Sequence, residues 1–135
     1  MKHIAQQFGT ALDHDNFELV KTLLSKDCRY NIGEELLLGP DAIAGSYEQN
    51  MLEGRAKMDQ LEWGDSTVEA LEDGTCYVHF TDYLTHKGET YTHRCKQRVT
   101  IDDMGQIVRI EHMNDAEEWQ RLQAWYRSVG IPTKS

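Results

Sequence analysis

Residues 91–114, with the sequence YTHRCKQRVTIDDMGQIVRIEHMN, predict the hairpin around which the rest of the chain is organised. The turn falls at residues 102–105, and alternation with a period of two before it is typical of a half-buried strand. The inner face of this first strand is predicted to carry His93, Cys95, Gln97, Val99 and Ile101. After the turn, the same alternation places Ile107 on the outer face and the inner face receives Val108, Ile110, His112 and Asn114.

Aliphatic residues of this hairpin are expected to face the inside of the protein, and polar side chains are carried in with them. These polar residues are His93, Gln97, His112 and Asn114. An apolar wall with a few convergent polar groups is typical of a ligand cavity rather than of a solid core. The hairpin therefore predicts where the protein binds a ligand, although it does not specify the molecule.

Length and charge narrow the class of protein. A chain of 135 residues predicts one domain, residues 1–135, with a core large enough to contain a cleft. The formal net charge of -9 and the pI near 5.0 argue against nucleic acid as a partner, because phosphate binding needs clustered Lys and Arg.

The cysteines and the N-terminal segment predict a cellular setting. Cys28, Cys76 and Cys95 form no CxxC pair and are odd in number, which favours buried free thiols in a reducing compartment. The first residues, MKHIAQQF, lack the continuous apolar stretch of a signal peptide, and no window has the length of a membrane span. The expectation is a soluble cytoplasmic protein that binds no membrane.

The first half of the chain predicts helices around a short strand. Apolar residues at helical spacing mark a helix over residues 2–12, and Asp15 followed by Glu18 predicts a capping box for the next helix. Residues 27–32 are predicted to form a strand and residues 36–38 a short extended run. Gly39, Pro40 and Asp41 predict the start of a third helix that ends near Gly54.

The second half predicts strands followed by one helix. Alternating residues continue from Met58 through the opening hairpin, with a turn at residues 72–74. Asp115 and Glu118 predict a second capping box, and Gly130 and Pro132 end the helix at about residues 115–129. The predicted class is α+β, with helices on one face of a curved, mostly antiparallel sheet.

Residues 8–12 (FGTAL), 23–30 (LLSKDCRY), 39–43 (GPDAI) with Tyr47, and 101–107 (IDDMGQI) resemble the nuclear-transport-factor-like, or SnoaL-like, superfamily. The resemblance extends to about Asn114. It implies a cystatin-like cone barrel with a strongly bent sheet around the third helix and a pocket between them. Its members include ketosteroid isomerase, polyketide cyclases, scytalone dehydratase, limonene epoxide hydrolase and proteins without catalysis, so this fold does not specify function.

The isomerase's functional residues do not carry over to this chain. Its protonated acid corresponds to Gln97, its general base falls near Asn31 or Ile32, and its tyrosine corresponds to Phe8. None of these side chains performs the matching role. The resemblance does place Asp82, Phe80, Leu84, Ile110 and His112 on the lining of the pocket, in agreement with the alternation.

Asp82 and His112 are the predicted catalytic pair. An imidazole exchanges a proton near pH 7, a carboxylate beside it would orient the ring, and burial would raise the pKa of Asp82. The alternative is that Asp82 accepts a backbone or tyrosine hydrogen bond while His112 is an ordinary core histidine. Gln97 and Asn114 are predicted to hold a developing oxyanion. The predicted substrate-binding residues are Tyr47, Met51, Trp63, Phe80, Leu84, His93, Cys95, Gln97, Ile110, Asn114 and Asn31.

The residue types also allow two other kinds of site, a nucleophilic cysteine and a metal site. Cys95 would be a nucleophile if His93 stabilised its thiolate. His93, His112 and Asp82 would bind a metal as a set of two histidines and a carboxylate, although strands give no short-spacing signature for it. The preferred prediction includes neither, and it includes no metal and no cofactor.

The predicted function is acid–base chemistry by a lyase, isomerase or cyclase on a small hydrophobic ring or carbonyl compound. The alternatives are a binding or accessory module without turnover and a purely structural dimerisation domain. Tyrosine, arginine and methionine residues on the outer face of the sheet are types enriched at interfaces, and family members pair through this face, so a homodimer is expected. These residues are Tyr77, His79, Tyr83, Arg94, Arg98, Arg109 and Met113.

Overall fold

The computed structural model describes residues 2–133 and has an α+β architecture. Four helices and seven strands alternate irregularly along the chain. The elements in chain order are α1 (Lys2–Asp13), α2 (Phe17–Leu23), β1 (Leu24–Ile32), β2 (Glu35–Leu38), α3 (Pro40–Lys57), β3 (Gln60–Trp63), β4 (Thr67–Ala70), β5 (Cys76–His86), β6 (Glu89–Ile101), β7 (Ile107–His112) and α4 (Ala116–Ser128). The predicted fold class is confirmed.

The strands form one mixed sheet with the order β2-β1-β7-β6-β5-β3. β3 pairs with the second half of β5, and β4 pairs with the first half of β5. All neighbouring pairs are antiparallel except β1 and β7, which run parallel. The hairpin of β5 and β6 pairs from Cys76 with Val99 to His86 with Glu89. This long hairpin lies in the interior of the sheet, because each of its strands also pairs with another strand on its other edge.

A β-bulge in β7 changes the face on which Ile107 lies. Thr100 pairs with Arg109 whereas Ile101 pairs with Ile107, so one extra residue, Val108, is accommodated between them. Ile107 is therefore fully buried, as is Ile110. The predicted outer position of Ile107 is wrong, because strict alternation does not extend through a bulge.

The main hydrophobic core lies between the first three helices and the inner face of the sheet. It comprises Ala5, Phe8, Ala11, Val20, Leu23, Leu24, Cys28, Tyr30, Ile43, Ala44, Cys76, Val78, Val99, Ile107 and Ile110. A smaller core attaches α4 to the other end of the sheet through Met58, Leu61, Leu84, Leu122, Val129 and Ile131. Two separate cores leave space between them, where a cavity can form.

The helix caps match the sequence at α4 but not at α2. The carboxylate of Asp115 accepts the backbone N–H of Glu118, as predicted. At α2 the cap is Asn16, which accepts the N–H of Leu19. The predicted cap, Asp15, has a positive φ of 55° and its carboxylate is bound elsewhere, so it is not free to cap the helix.

The structure confirms that the three cysteines are free thiols, of which Cys28 and Cys76 are buried. Within residues 2–133, none of the helices combines the length and the apolar character that a membrane span requires. The predicted pairing of two copies through the outer face of the sheet stays a prediction.

Replacing Gly9 with alanine is expected to destabilise the fold by about 1–3 kcal/mol. A Cβ at Gly9 would lie 2.4 Å from Oγ of Ser66 and 3.0 Å from Cγ1 of Val78. Ser66 has little freedom to move, because Asp13 accepts hydrogen bonds from its backbone N and its Oγ, both at 2.8 Å. Urea unfolding measures the effect. Gly45→Ala is the matched control, with nothing within 4 Å of the added carbon.

The control is expected to change stability in the opposite direction. Gly45 is exposed within α3, where alanine is favoured over glycine by up to about 1 kcal/mol. Equal changes in the free energy of unfolding at Gly9 and Gly45 would show that α1 does not approach Ser66 and Val78 as closely as described.

Candidate functional site

A cavity of about 410 Å³ opens between α3, α4 and the inner face of the sheet. Apolar and aromatic side chains form most of its wall. They are Leu12, Phe17, Tyr47, Met51, Met58, Leu61, Trp63, Phe80, Leu84, Trp119, Leu122 and Tyr126. The polar and small residues of the wall are Asp13, Asp15, Asn50, Glu53, Gly54, Lys57, Thr81, Asp82, His93 and Cys95. This size and composition suit a small organic ligand.

Most of the predicted site residues come together on this wall. Alternation along β5 presents Phe80, Asp82 and Leu84, and alternation along β6 presents His93 and Cys95. Trp63 of β3 pairs with Asp82, while α3 contributes Tyr47 and Met51. Gln97, His112, Ile110, Asn31 and Asn114 are not among the residues that line the cavity.

Asp82 has His93, not His112, as its histidine neighbour. In the register of the sheet Asp82 is directly opposite His93, whereas His112 is opposite Gln97 on the next strand. Directly opposite side chains lie on one face with Cβ atoms about 4.5–5.5 Å apart. The pairing of Asp82 with His112 predicted from residue types is thus not the one that the strand register produces.

The carboxyl group of Asp82 is half-buried in apolar surroundings and faces the cavity. Burial raises its pKa to about 6; the nearby His93 opposes this change, and the charge of Asp13 adds to it. Among residues 2–133 no side chain or backbone N–H donates a hydrogen bond to it. Asp82 is therefore able to gain or lose a proton close to neutral pH.

Glu118 holds His93 in position, and it is a site residue that the sequence analysis missed. Oε2 of Glu118 accepts a hydrogen bond from Nδ1 of His93 at 2.9 Å and another from the Tyr91 hydroxyl at 2.5 Å. Arg121 donates to Oε1 at 3.0 Å. Burial acts to raise the pKa of Glu118, but these hydrogen bonds outweigh it and the pKa is lowered. Glu118 is thus an ionised acceptor at neutral pH.

This contact fixes the chemistry of the His93 ring. Because an ionised carboxylate only accepts hydrogen bonds, Nδ1 of His93 carries the proton and Nε2 is the atom available to a ligand. The sequence signal for Glu118 was its position three residues after Asp115, which predicts a side chain that reaches back to the helix start. In the structure, that side chain turns to the sheet instead.

Gln97 occupies a buried hydrogen-bond network behind the cavity wall. Its Oε1 accepts from the Tyr47 hydroxyl at 2.5 Å, and its Nε2 donates to the Tyr30 hydroxyl at 2.9 Å. Burial raises the pKa of Tyr30 to about 12 and that of Tyr47 well above its usual value, so both phenols stay neutral. Gln97 therefore has its amide engaged by the two tyrosines, and the network supports the position of Tyr47.

The other predicted site residues lie away from the cavity wall. His112 is half-buried with Nδ1 at 3.5 Å from Nε2 of Gln97, and burial, with the nearby His93, lowers its pKa. Ile110 is fully buried in the main core. Asn31 accepts a hydrogen bond from Arg109 at 3.3 Å, and Asn114 is exposed beyond the end of β7.

Cys95 lines the cavity as a neutral thiol. Burial raises its pKa to about 12, and the negative charges of Asp82 and Glu118 act in the same direction. A nucleophilic cysteine needs a lowered pKa, so these surroundings disfavour the thiolate. Within residues 2–133, no group of three or more His, Cys, Asp or Glu side chains is arranged to bind a metal ion.

Asp13 and Asp15 are further cavity residues, and the sequence did not predict that either of them lines the site. Asp15 accepts hydrogen bonds from Nε1 of Trp63 and from Arg55, both at 2.8 Å. Asp13 binds Ser66. Both acids lie where α1 ends, and only the approach of β3 and β4 to that end brings them onto the cavity wall.

Comparison with protein-family models gave no match, and a search of curated proteins gave none either. Solved structures do match. A provisionally assigned polyketide cyclase from Xanthomonas campestris pv. campestris has a TM-score of 0.65 at 17% identity, covering 87% of this chain and 91% of its own. A second one, from Pseudomonas putida KT2440, has a TM-score of 0.62 at 19% identity, covering 87% and 93%.

A third similar structure is TerC, which was co-crystallised with polyporic acid. Its TM-score is 0.64 at 16% identity, and the match covers 89% of this chain and 95% of TerC. The likeness spans most of both chains in all three cases, although the sequences have diverged widely. The chain therefore has the SnoaL-like, or nuclear-transport-factor-like, α+β fold.

Proposed function

We propose that this protein is an acid–base enzyme of the lyase, isomerase or cyclase class that acts on a small hydrophobic ring or carbonyl compound. The observation that carries the proposal is Asp82, a carboxyl group on the wall of a largely aromatic cavity to which no group within residues 2–133 donates a hydrogen bond. A residue whose pKa lies near the working pH is suited to proton transfer. The polyketide cyclase assignments of two structures with this fold support the reaction class by analogy.

Asp82 and His93 have distinct roles in the proposed mechanism. The Asp82 carboxylate removes a proton from a carbon next to a carbonyl group, and the electron pair of that C–H bond moves towards the carbonyl oxygen. Nε2 of His93, which carries a proton when the ring is an imidazolium, donates to the developing oxyanion. Glu118 is a positioning residue, because it orients the ring through Nδ1. His93 thus takes the oxyanion role expected of Gln97 and Asn114.

The aromatic wall places the substrate and excludes water. Trp63 of the neighbouring strand β3 is opposite Asp82, and Phe80 lies two residues from Asp82 on the same face of β5. Trp119 and Tyr126 of α4 close the opposite side. Trp119 is 52% exposed, so it lies at the mouth of the cavity rather than within it. An apolar surround keeps the proton of Asp82 available and strengthens its electrostatic contacts with a bound ligand.

A test of the enzyme proposal uses 1-tetralone, a bicyclic ketone, in D₂O. We expect the protein to accelerate exchange of the hydrogens next to the carbonyl, followed by proton NMR, and Asp82→Asn to lose this acceleration by about 10²–10⁴-fold. The matched control is Asp103→Asn, which makes the same charge change in an exposed turn. Equal exchange rates for the wild-type and Asp82→Asn proteins would refute the proposed role of Asp82.

The alternative function is a binding module without turnover, and the structure offers one observation in its favour. The predicted pair of Asp82 and His112 is not formed, so the cavity has fewer catalytic groups than the residue types suggested. A binding module would be stabilised by ligands in a thermal-shift assay that includes polyporic acid, the molecule with which TerC was co-crystallised. Stabilisation without hydrogen exchange in any bound ketone would favour the binding module over the enzyme.

A further inference from the structure

The wall of the cavity carries more carboxylates than cationic groups. Asp13 binds the backbone N and Oγ of Ser66, both of them uncharged groups. Asp82, also on the wall, has no hydrogen-bond donor among residues 2–133, and the two carboxylates are close enough for Asp13 to affect the titration of Asp82. Two acids of one sign, set in an apolar surround, favour a ligand of the opposite sign.

The remaining charges of the wall do not reverse this sign. Asp15 is paired with Arg55 at 2.8 Å, and Glu53 is exposed. In the described part of the chain, Lys57 is the one lysine or arginine that lines the cavity, and His93, opposite Asp82, is the other group there that can carry a positive charge. The exposed side chain of Lys57 points its Nζ over the ring of Tyr126, at 4.8 Å from the centroid. An anionic ligand would thus meet more carboxylates than cations.

Aromatic rings of the same wall already interact with cations. Lys57 lies over Tyr126, and the guanidinium of Arg55 lies 5.7 Å from the ring centroid of Trp63. The faces of tryptophan and tyrosine attract cations through their quadrupole, and this attraction increases where water is excluded. Aromatic rings combined with unneutralised carboxylates form a typical surround for a hydrophobic ammonium group.

We propose that the cavity binds a hydrophobic ring compound that carries a protonated amine, with the ammonium group towards Asp13 and Asp82 and the ring against Trp63 and Phe80. This inference rests on the proposed function, because it names the ligand class of the same cavity. It excludes ring compounds whose polar end is a carboxylate.

Three probes that share one ring and differ in charge test the inference. They are 1-naphthylmethylamine, 1-naphthylmethanol and 1-naphthoate, titrated calorimetrically into the wild-type protein at pH 7.5. We expect the amine to bind at least about tenfold more tightly than the carboxylate, with the alcohol between them. The preference for the amine over the carboxylate should fall in the Asp13→Asn and Asp82→Asn variants and remain in Asp103→Asn. Circular dichroism checks that the variants are folded.

A second measurement depends on Asp82 alone. A bound ammonium group favours the ionised carboxylate, so binding of the amine at pH 6 should release protons in wild type and not in Asp82→Asn. Calorimetry in two buffers of different ionisation enthalpy measures the protons released. The charged or titratable groups that line the cavity with Asp82 are Asp13 of α1, Asp15 between α1 and α2, Tyr47, Glu53 and Lys57 of α3, His93 and Cys95 of β6, and Tyr126 of α4.

The outcomes separate this inference from the proposed function. Equal or tighter binding of 1-naphthoate overturns the inference, and so does a preference for the amine that survives both aspartate substitutions. If none of the probes binds while 1-tetralone still exchanges its hydrogens, the ligand class is wrong and the enzyme proposal stands. Absence of both binding and exchange would overturn both.

Discussion

Replacing Asp82 with asparagine is expected to increase the free energy of unfolding relative to wild type. This increase should be about 2–3 kcal/mol larger at pH 7.5 than at pH 4. The reason is that folding moves the carboxyl group from water into the cavity wall, where burial raises its pKa from 3.8 to about 6. Asparagine is close in shape and carries no ionisable proton. The substitution therefore removes the cost of a buried charge.

The pH window follows from these two pKa values. Below about pH 4 the carboxyl group is protonated in the folded and unfolded states, so wild type has no charge penalty. As the pH rises from about 4 to about 6, the unfolded chain loses the proton first and the stability of wild type falls. Above that range the loss of stability caused by the buried Asp82 carboxylate is constant. Urea unfolding of both proteins across pH 4–8 measures the difference.

Asp103→Asn is the control for this experiment, because Asp103 is an exposed acid in the turn between β6 and β7. Its stability should follow that of wild type at every pH. If Asp82→Asn also runs parallel to wild type, Asp82 is exposed to water in solution, and its proposed role in proton transfer loses its physical basis.

Replacing Gln97 with alanine is expected to destabilise the fold by about 3–4 kcal/mol. Gln97 is 4% exposed, and its amide is the hydrogen-bond partner of the Tyr30 and Tyr47 hydroxyls. Alanine would leave both phenols without this partner and open a cavity between the inner face of the sheet and α3. A buried polar group without its hydrogen bond costs about 1–3 kcal/mol, and the lost packing adds to it. Urea unfolding measures the total.

Two further variants separate the parts of this effect. Gln97→Met keeps most of the side-chain volume, so it should cost about 2 kcal/mol from hydrogen bonds alone. Gln60→Ala makes the same truncation at an exposed strand position and should change stability by less than about 0.5 kcal/mol. A loss at Gln97 as small as that at Gln60 would show that the amide does not link the two tyrosines.

The general fold could be predicted because its signals are local. Alternation along β6 placed Gln97 and Val99 on the buried face, and the Asp115 cap marked the start of α4. A strand or a helix start depends on residues that are close in sequence, so their pattern is visible without the rest of the structure. Ile107 shows the limit of prediction from alternation. A bulge moves its side chain to the buried face, and the alternating pattern of the sequence gives no sign of that bulge.

The sequence predicted part of the cavity lining, but it did not predict which histidine is the partner of Asp82. Residues such as Phe80 and Leu84 could be placed by alternation alone, because one face of a strand is shared by every second residue. The partner of Asp82 could not be placed in this way. Strand register decides that partner, and register depends on the turn and on the packing of the whole sheet.

The sequence by itself determined the α+β class, the strands and helices, and the set of residues on the inner face of β5 and β6. Only the tertiary structure decided that His93 faces Asp82, that Glu118 from the last helix holds His93, and that Asp13 shares the cavity wall. These contacts join residues from separate elements. Their distances depend on how helices and strands pack, which side-chain periodicity does not encode.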